Sequence, residues 1–458
     1  MKKSIIAVVL LLLIIAALPI IGNTFVKHTI DERLLELTSL GLEVNKDKTE
    51  STYLQSQRHF ELLLKDSKNF IKHLSQYNEQ QIPPYVNAML DGAVIGVDVT
   101  YSNLPFAKAF VVEFYPLTLS KELELSLTQN DALFYKYVEK FLQAKGVLYH
   151  INYNLLNEDF DGYIKDIDEK YSLSSGVDIA LDLKKATFKG NGELLAPNEL
   201  ISKIGKFRLD AQQDAKEFHV VMNNLSGTSS FESESTYITA GEIESMELNL
   251  TGTDEDMTLD IKSLRINASS NDQGSDVELN SKSSIDKLVV HSKALDVNMS
   301  KFNFDIALSD LDKKSFEELR ILVAQNSSNT NGTNNPEIQK SMMKLLSKGM
   351  ILNIVDFSLE NIQTARAGDL KGFKVDTTMT LKEDAMLAEK VKVSPLLALS
   401  GLEVITNIKI SKEMFHFLAK SAPMLTNLYK YAKEENNDLI FNMNFVDSKP
   451  TINGKTLN

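Results

Sequence analysis

Between residues 147 and 310 the chain alternates apolar and polar side chains in short runs, and that rhythm leaves few architectures open. Met246, Leu248 and Leu250 point one way while Glu247 and Asn249 point the other. Val277 and Leu279 alternate with Glu278, and Leu295, Val297 and Met299 with Asp296 and Asn298. A period of two is that of a half-buried strand. Such runs recur at residues 177–183, 207–210, 218–222, 237–239, 246–250, 257–261, 264–268, 277–279, 288–291, 295–299 and 302–308. Clusters of Gly, Asn, Asp and Ser, such as residues 270–275, link them. The pattern predicts a long antiparallel meander with one apolar and one wet face. A sheet of that kind must cover its apolar side with helices, a second sheet, a partner or lipid, and the region has almost no helical sequence of its own.

The flanks are mixed. Residues 26–40 place Ile30, Leu34, Leu35 and Leu37 at helical spacing, with Gly41 as the stop. Residues 42–64 predict a hairpin around Val44, Tyr53 and the apolar run 60–64, and residues 66–77 a helix. Pro83-Pro84 opens a short helix that Asp91-Gly92 closes, and residues 93–101 and 109–119 are strands. Residues 130–144 carry Leu133, Phe134, Tyr137, Val138, Phe141 and Leu142 on one face, with Asn130 as cap and Gly146 just past the end. Downstream come a helix at 315–325, an apolar-free surface loop at 326–335 and a helix opened by Pro336. Strands follow at 351–359, 372–381 and 402–410, then a helix at 411–433 broken at Pro423 and a closing hairpin of 439–446 with 451–452.

The expected fold class is α+β, β-dominated: an N-terminal transmembrane helix followed by a long, curved antiparallel β-meander flanked by mixed helix/strand regions. The expected divisions are a transmembrane anchor at 1–25, an N-terminal α+β region at 26–155, the meander at 156–310 and a C-terminal α+β region at 311–458.

The anchor follows from Met1-Lys2-Lys3, Ser4 and an unbroken apolar run over residues 5–21. Residues 4–25 would span roughly 33 Å as a helix, enough for a hydrocarbon core of about 30 Å. The lysines stay in the cytoplasm, which places the rest of the chain across the membrane. A cleavable signal peptide wants small residues at the cut, whereas Ala16-Ala17 is followed by Leu18-Pro19-Ile20-Ile21, so an uncleaved anchor is expected.

Composition narrows the chemistry. The net charge of −13 and the absence of a basic block beyond the anchor disfavour nucleic acid and anionic headgroups, so lipid contact would be through acyl chains. The chain has no cysteine, which excludes thiol chemistry, thiolate metal sites and lipid attachment at cysteine. His28, His59, His73, His150, His219, His291 and His416 are scattered, without an H-x-x-H or H-E-x-x-H pair. The acidic clusters at 166–169 and 254–256 lack the order of a calcium loop and read as solvated turns. No nucleophile elbow, phosphate loop or dinucleotide glycine pattern occurs. No catalytic, cofactor-binding or metal site is expected, and the chain is not expected to be an enzyme.

Four features carry a family resemblance: the apolar run at 5–21, Glu50-Ser51-Thr52-Tyr53 through Arg58 and Phe60, the segments 346–359 and 373–381, and the closing hairpin with Ile452-Asn453-Gly454-Lys455. In these the chain resembles the YdgA-like family of bacterial envelope proteins, a domain family of unknown function. It departs from that pattern in lacking a glycine between Tyr53 and Phe60. The resemblance implies an inner-membrane, single-pass anchor with the bulk of the chain in the periplasm, and it brings no catalytic residues. The expected function is that of a membrane-anchored periplasmic envelope protein binding lipid or another hydrophobic ligand on a sheet face, with Leu248, Val277 and Val297 as positions that would touch it. The alternative is a structural or assembly factor that binds an envelope protein through edge strands.

Overall fold

The computed structural model describes residues 27–28, 30–32, 34–76, 87–88, 90–104, 109–193, 196–233, 235–252, 256–326, 335–365, 367–394, 397 and 400–457. The expected anchor, Pro83-Pro84 and most of the polar loop at 326–335 lie outside these residues. Among the described residues no helix is long and apolar enough to cross a membrane. The chain is β-dominated, and its strands join one 22-stranded antiparallel sheet. It divides into two units, residues 1–206 and 207–458.

In the first unit β1 (Leu42–Ser51), β2 (Gln55–Leu64), β3 (Val94–Ser102), β4 (Ala109–Thr118), β5 (Tyr149–Asn154) and β6 (Asp159–Ile164) pair in chain order. β7 (Ile167–Ser172) and β8 (Asp178–Lys184) form a hairpin, while β6 pairs past them with β9 (Ala186–Glu193).

β2 shows why this sheet has two unlike faces. Ser56, Arg58, Phe60, Leu62 and Leu64 are buried in strict alternation, and Gln57, His59, Glu61 and Leu63 are not. Helical residues 30–32 and 34–39 lay Ile30 and Leu34 on the buried side, with Leu37 and Leu40 beside them and Val97, Val99 and Tyr101 of β3 completing the core. The positions 30, 34 and 37 form one helical stripe, and Leu35, one residue off it, stays 72% exposed. Burying a side chain as fully as Leu64 contributes about 1.5–3 kcal/mol. Arg58 is the charged member of the buried set. Its Nε and Nη2 donate to the Asp47 carboxylate at 2.8 and 2.7 Å. Asp31 of the helix lies 2.6 Å from Nη1, off the N–H direction, as an ion pair rather than a hydrogen bond.

Helices α1 (Ser67–Gln76), α2 (Lys121–Asn130) and α3 (Ala132–Gln143) complete the unit. α3 is the expected amphipathic helix, but its cap is Asp131, whose carboxylate accepts from the backbone of Leu133 and Phe134; Asn130 ends α2 instead. α2 was not expected. Leu123, Leu125 and Leu127 recur at the period of a strand, and no residue of α2 is buried. α3 closes on Lys145, which takes the left-handed backbone (φ 53) usually left to glycine, one residue before Gly146.

β10 (Ala196–Gln213) carries the chain onward. Strands β11 (Lys216–Phe231), β12 (Tyr237–Thr251), β13 (Met257–Gln273), β14 (Asp276–Ser292), β15 (Asp296–Asp312), β16 (Met350–Thr364), β17 (Gly368–Leu381) and β18 (Leu402–Ser411) each pair with the next. β19 (Lys433–Glu435) and β18 both pair with β20 (Asp438–Val446), which continues into β21 (Lys449–Ile452) and β22 (Lys455–Thr456). The antiparallel meander is therefore present, with strands about twice as long as the sequence runs suggested. Runs 257–261 and 264–268 both belong to β13, and runs 295–299 and 302–308 to β15.

The split has one cause, repeated across the unit. Met222, Met246, Ile261, Leu288, Met299, Ile362 and Leu370 oppose one another in a single cross-strand row. Leu225, Ile243, Leu264, Ile285, Phe302, Leu359, Phe373, Ile410 and Leu439 form the next apolar row. The two rows are three residues apart on every strand they share, not two. Between them Asn224, Ser263 and Lys301, on alternate strands, take left-handed backbone at φ 50, 53 and 51. β11, β13 and β15 leave extended geometry at the same level, and on every strand of the two rows the apolar alternation restarts beyond it.

Helices cover parts of the apolar side. α4 (Lys313–Asn326) and α5 (Pro336–Leu346) place Phe316, Leu319 and Leu345 on Val277, Leu279, Leu308 and Leu311. α6 (Leu387–Val393) follows β17. The helix expected over 411–433 is two pieces: α7 (Lys412–Ser421), capped by Ser411, and a 3₁₀ segment from Pro423 to Tyr431. They bring Met414, Phe415 and Tyr431 onto Leu370, Ile410, Leu439 and Phe441.

Candidate functional site

Two surfaces concentrate what the chain offers a ligand. The first is a polar row on the wet face of the first unit. His59, Asp98, Glu113, His150 and Tyr163 oppose one another directly from β2 to β6. His59 Nδ1 lies 2.7 Å from Asp98 Oδ1. Because a carboxylate only accepts, Nδ1 is the donor of this bond. Asp98 Oδ2 accepts from Tyr115 Oη at 2.9 Å and from Lys145 Nζ at 2.6 Å. The ring of Tyr115 reaches Asp98 by lying across Gly96, where an added Cβ would sit 2.5 Å from ring carbon Cε2. Lys145 Nζ also lies 4.2 Å from the centroid of that ring and 3.6 Å from Glu113 Oε2. His150 pairs with Glu113 Oε1 at 3.2 Å and stacks on Tyr163 at 4.8 Å.

Burial works to raise the Asp98 pKa, but the bonds from Lys145, His59 and Tyr115 outweigh it and hold the carboxyl below its usual range. Burial, reinforced by the Asp98 bond, pushes the Tyr115 phenol up. On α3, burial and the bond that Tyr137 donates to Glu169 push that phenol up to about 12. The groove beside this row, of about 470 Å³, is lined by Lys48, Glu50, Gln57, Thr100 and the Asp98 pair. Its charges neutralise one another, so the row can orient His59 and fasten α3 to the sheet through Lys145. The partner of the His59 imidazole is the Asp98 carboxylate.

Two further histidines share this habit. His219 meets Asp210 and His291 meets Asp296, each at 2.6 Å. Among the described residues no three His, Asp or Glu side chains converge to hold a metal ion. In the acidic cluster at 166–169, Asp166 accepts from the Lys185 backbone at 2.8 Å and Asp168 lies 3.5 Å from Lys184. In the second cluster, of which residues 253–255 lie outside the described set, Asp256 accepts from Gly252 at 2.9 Å.

The second surface is the apolar side of β11–β13. Directly opposed residues share a face, so both apolar rows of the second unit lie on the side that carries Leu370 and Phe373. Along it the covering changes. Val277 is 1% exposed beneath α4 and α5, and Leu439 is fully buried beneath α7. On β11–β13 Val220 is buried, while Met222, Met246, Leu248, Ile261 and Leu264 are half-buried. Ile266, in step with Leu264, is 47% exposed, and Phe231, in step with Leu225, is 43% exposed. Of the three positions that sequence reasoning singled out, Leu248 lies on this open stretch and Val277 does not. Val297 is buried, next to Val290.

No protein-family model matches the chain, and no curated protein matches it.

Proposed function

We propose that the chain is a membrane-tethered, non-enzymatic binding protein of the bacterial envelope, and that the apolar side of β11–β13 takes the acyl chain of a lipid. The observation that carries this reading is the exposure of Ile266 and Phe231 on a face that helices seal elsewhere in the same unit. An apolar side chain left half in water forgoes about 1 kcal/mol of burial, which an acyl chain laid along the rows would recover. The acidic balance of the chain favours the hydrocarbon part of a lipid over an anionic headgroup. The apolar run at 5–21 behind Lys2 and Lys3 and the resemblance to YdgA-like proteins support the tether and the periplasmic side.

Strand addition of a protein partner is the less favoured reading. β1, paired with β2, carries Asn-Lys-Asp-Lys-Thr-Glu-Ser with a register shift between Asn45 and Lys48, and charged, bulged strands resist added strands. Photo-crosslinkers at Leu248 and Ile266 should capture phospholipid in cells, with a crosslinker at Val277 silent. Capture of protein alone at the first two positions overturns the lipid reading.

A further inference from the structure

We infer that the β1–β2 turn and Leu104, two residues past the end of β3, form a second contact with the bilayer, beside the tether. The inference rests on the proposal that residues 5–21 lie in the membrane. Tyr53 and Leu54 of the turn are 57% and 56% exposed, and Leu104 is 41% exposed. These apolar residues are not on loose chain. Asn103, itself 2% exposed, donates its backbone N–H to Leu54 O at 2.9 Å and its side-chain amide to Thr52 O at 2.8 Å and Tyr53 O at 3.3 Å. Its Oδ1 accepts from Ser56 Oγ at 2.8 Å. The turn closes on itself through Thr52, whose N–H donates to Gln55 O at 2.8 Å. A short, hydrogen-bonded tip thus presents Tyr53, Leu54 and Leu104 together.

The position of this tip names its occupant. The helix over residues 30–32 and 34–39 ends at Gly41, whose carbonyl accepts from Lys65 and Asp66 at the far end of β2. Its other end reaches back along the hairpin, where Asp31 meets Arg58, two residues from Ser56 at the turn. The start of the helix and the apolar tip therefore lie toward the same end of the sheet. Six residue steps separate Ile21 from Lys27, a reach of at most about 22 Å. An apolar run in the bilayer leaves it within that reach of Lys27. An exposed tyrosine with two leucines is the composition that settles at the boundary between headgroups and acyl chains. A protein partner at the tip would have to share that space with the membrane surface.

The absence of native cysteine makes the test clean. Single-cysteine variants Leu54→Cys, Leu104→Cys, Lys65→Cys and Ile14→Cys of the full chain, labelled with nitrobenzoxadiazole, are reconstituted in phosphatidylcholine vesicles. Blue-shifted emission, quenched by spin-labelled lipid, is expected at 14, 54 and 104, with water-like emission at 65. Water-like emission at 54 and 104 with a lipid-buried label at 14 overturns the tip contact and leaves the tether standing. Water-like emission at 14 overturns the tether and the tip contact with it.

Discussion

Leu370 and Phe373 are three residues apart in β17, yet both pack into the core beneath α7. On an unbroken strand an odd spacing sends side chains to opposite faces. Gly372, between them, lies against the carbonyl of Leu359, so close that a Cβ there would overlap it at 1.8 Å. The kink level is occupied on neighbouring strands by Lys301 with Glu360, 2.6 Å apart, and by Asn224 bonded to Glu244. Polar pairs thus hold the level at which the strands bend, and the apolar side stays continuous across it.

Ser263 is the member of that level whose substitution tests it most directly. A β-branched residue is poorly tolerated in left-handed backbone, so Ser263→Val should cost about 1–2 kcal/mol, whereas Ser263→Asn should be close to neutral. Urea midpoints of the two variants should differ accordingly; equal midpoints would remove the strain from this position.

Arg58→Met should destabilise the first unit by about 1–3 kcal/mol, since it strips Asp47 and Asp31 of their common partner. The loss stays moderate because both carboxylates keep access to water, being 39% and 44% exposed. Asp31→Asn should cost less than about 1 kcal/mol. Denaturation followed by the fluorescence of the many tyrosines can rank the two; a larger loss for Asp31→Asn would refute the assignment of Asp47 as the main partner.

Acid should act on this unit through Asp98 and Asp47. Arg58 holds the Asp47 carboxyl below its ordinary value of 3.8, and Lys145, His59 and Tyr115 do the same for Asp98 against the opposing effect of burial. Groups with lowered folded values contribute stability that is complete above the unfolded value and drains as the pH falls through the folded one. The loss should therefore begin near pH 4 and grow below it. Asp98→Asn should flatten the slope of stability between pH 5 and about pH 2.5 relative to the parent. An unchanged slope would show that the three bonds do not favour the ionised carboxylate.

The difference between sealed and open stretches of the apolar side should appear in core truncations. Leu439→Ala should cost about 3–5 kcal/mol at a position with no exposure, and Leu248→Ala only about 1–2 kcal/mol on the open stretch. Comparable costs in purified, delipidated protein would mean that β11–β13 are covered after all.

Much of this architecture can be seen in the residues. Ile30, Leu34 and Leu37 announce the helix on the hairpin, and the alternation of Met246, Leu248 and Leu250 announces a one-sided strand. The strand lengths were hidden because the alternation slips between Ile261 and Leu264, and again between Met299 and Phe302, so one strand looked like two. α2 was hidden because Leu123, Leu125 and Leu127 keep the period of a strand on a helix that buries none of them. The Asp98 row was invisible for another reason: His59 and Asp98 are 39 residues apart, and their meeting depends on the register of β2 with β3. Local spacing carries no trace of such pairs.

Met222 and Met246 face each other across β11 and β12 on the open apolar side. Thioethers give that row a compliance that branched side chains lack. They also make it vulnerable. Conversion to sulfoxides would plant polar oxygens along the row and wet it, so that on the proposed function peroxide treatment should lower the capture of phospholipid by a crosslinker at Leu248.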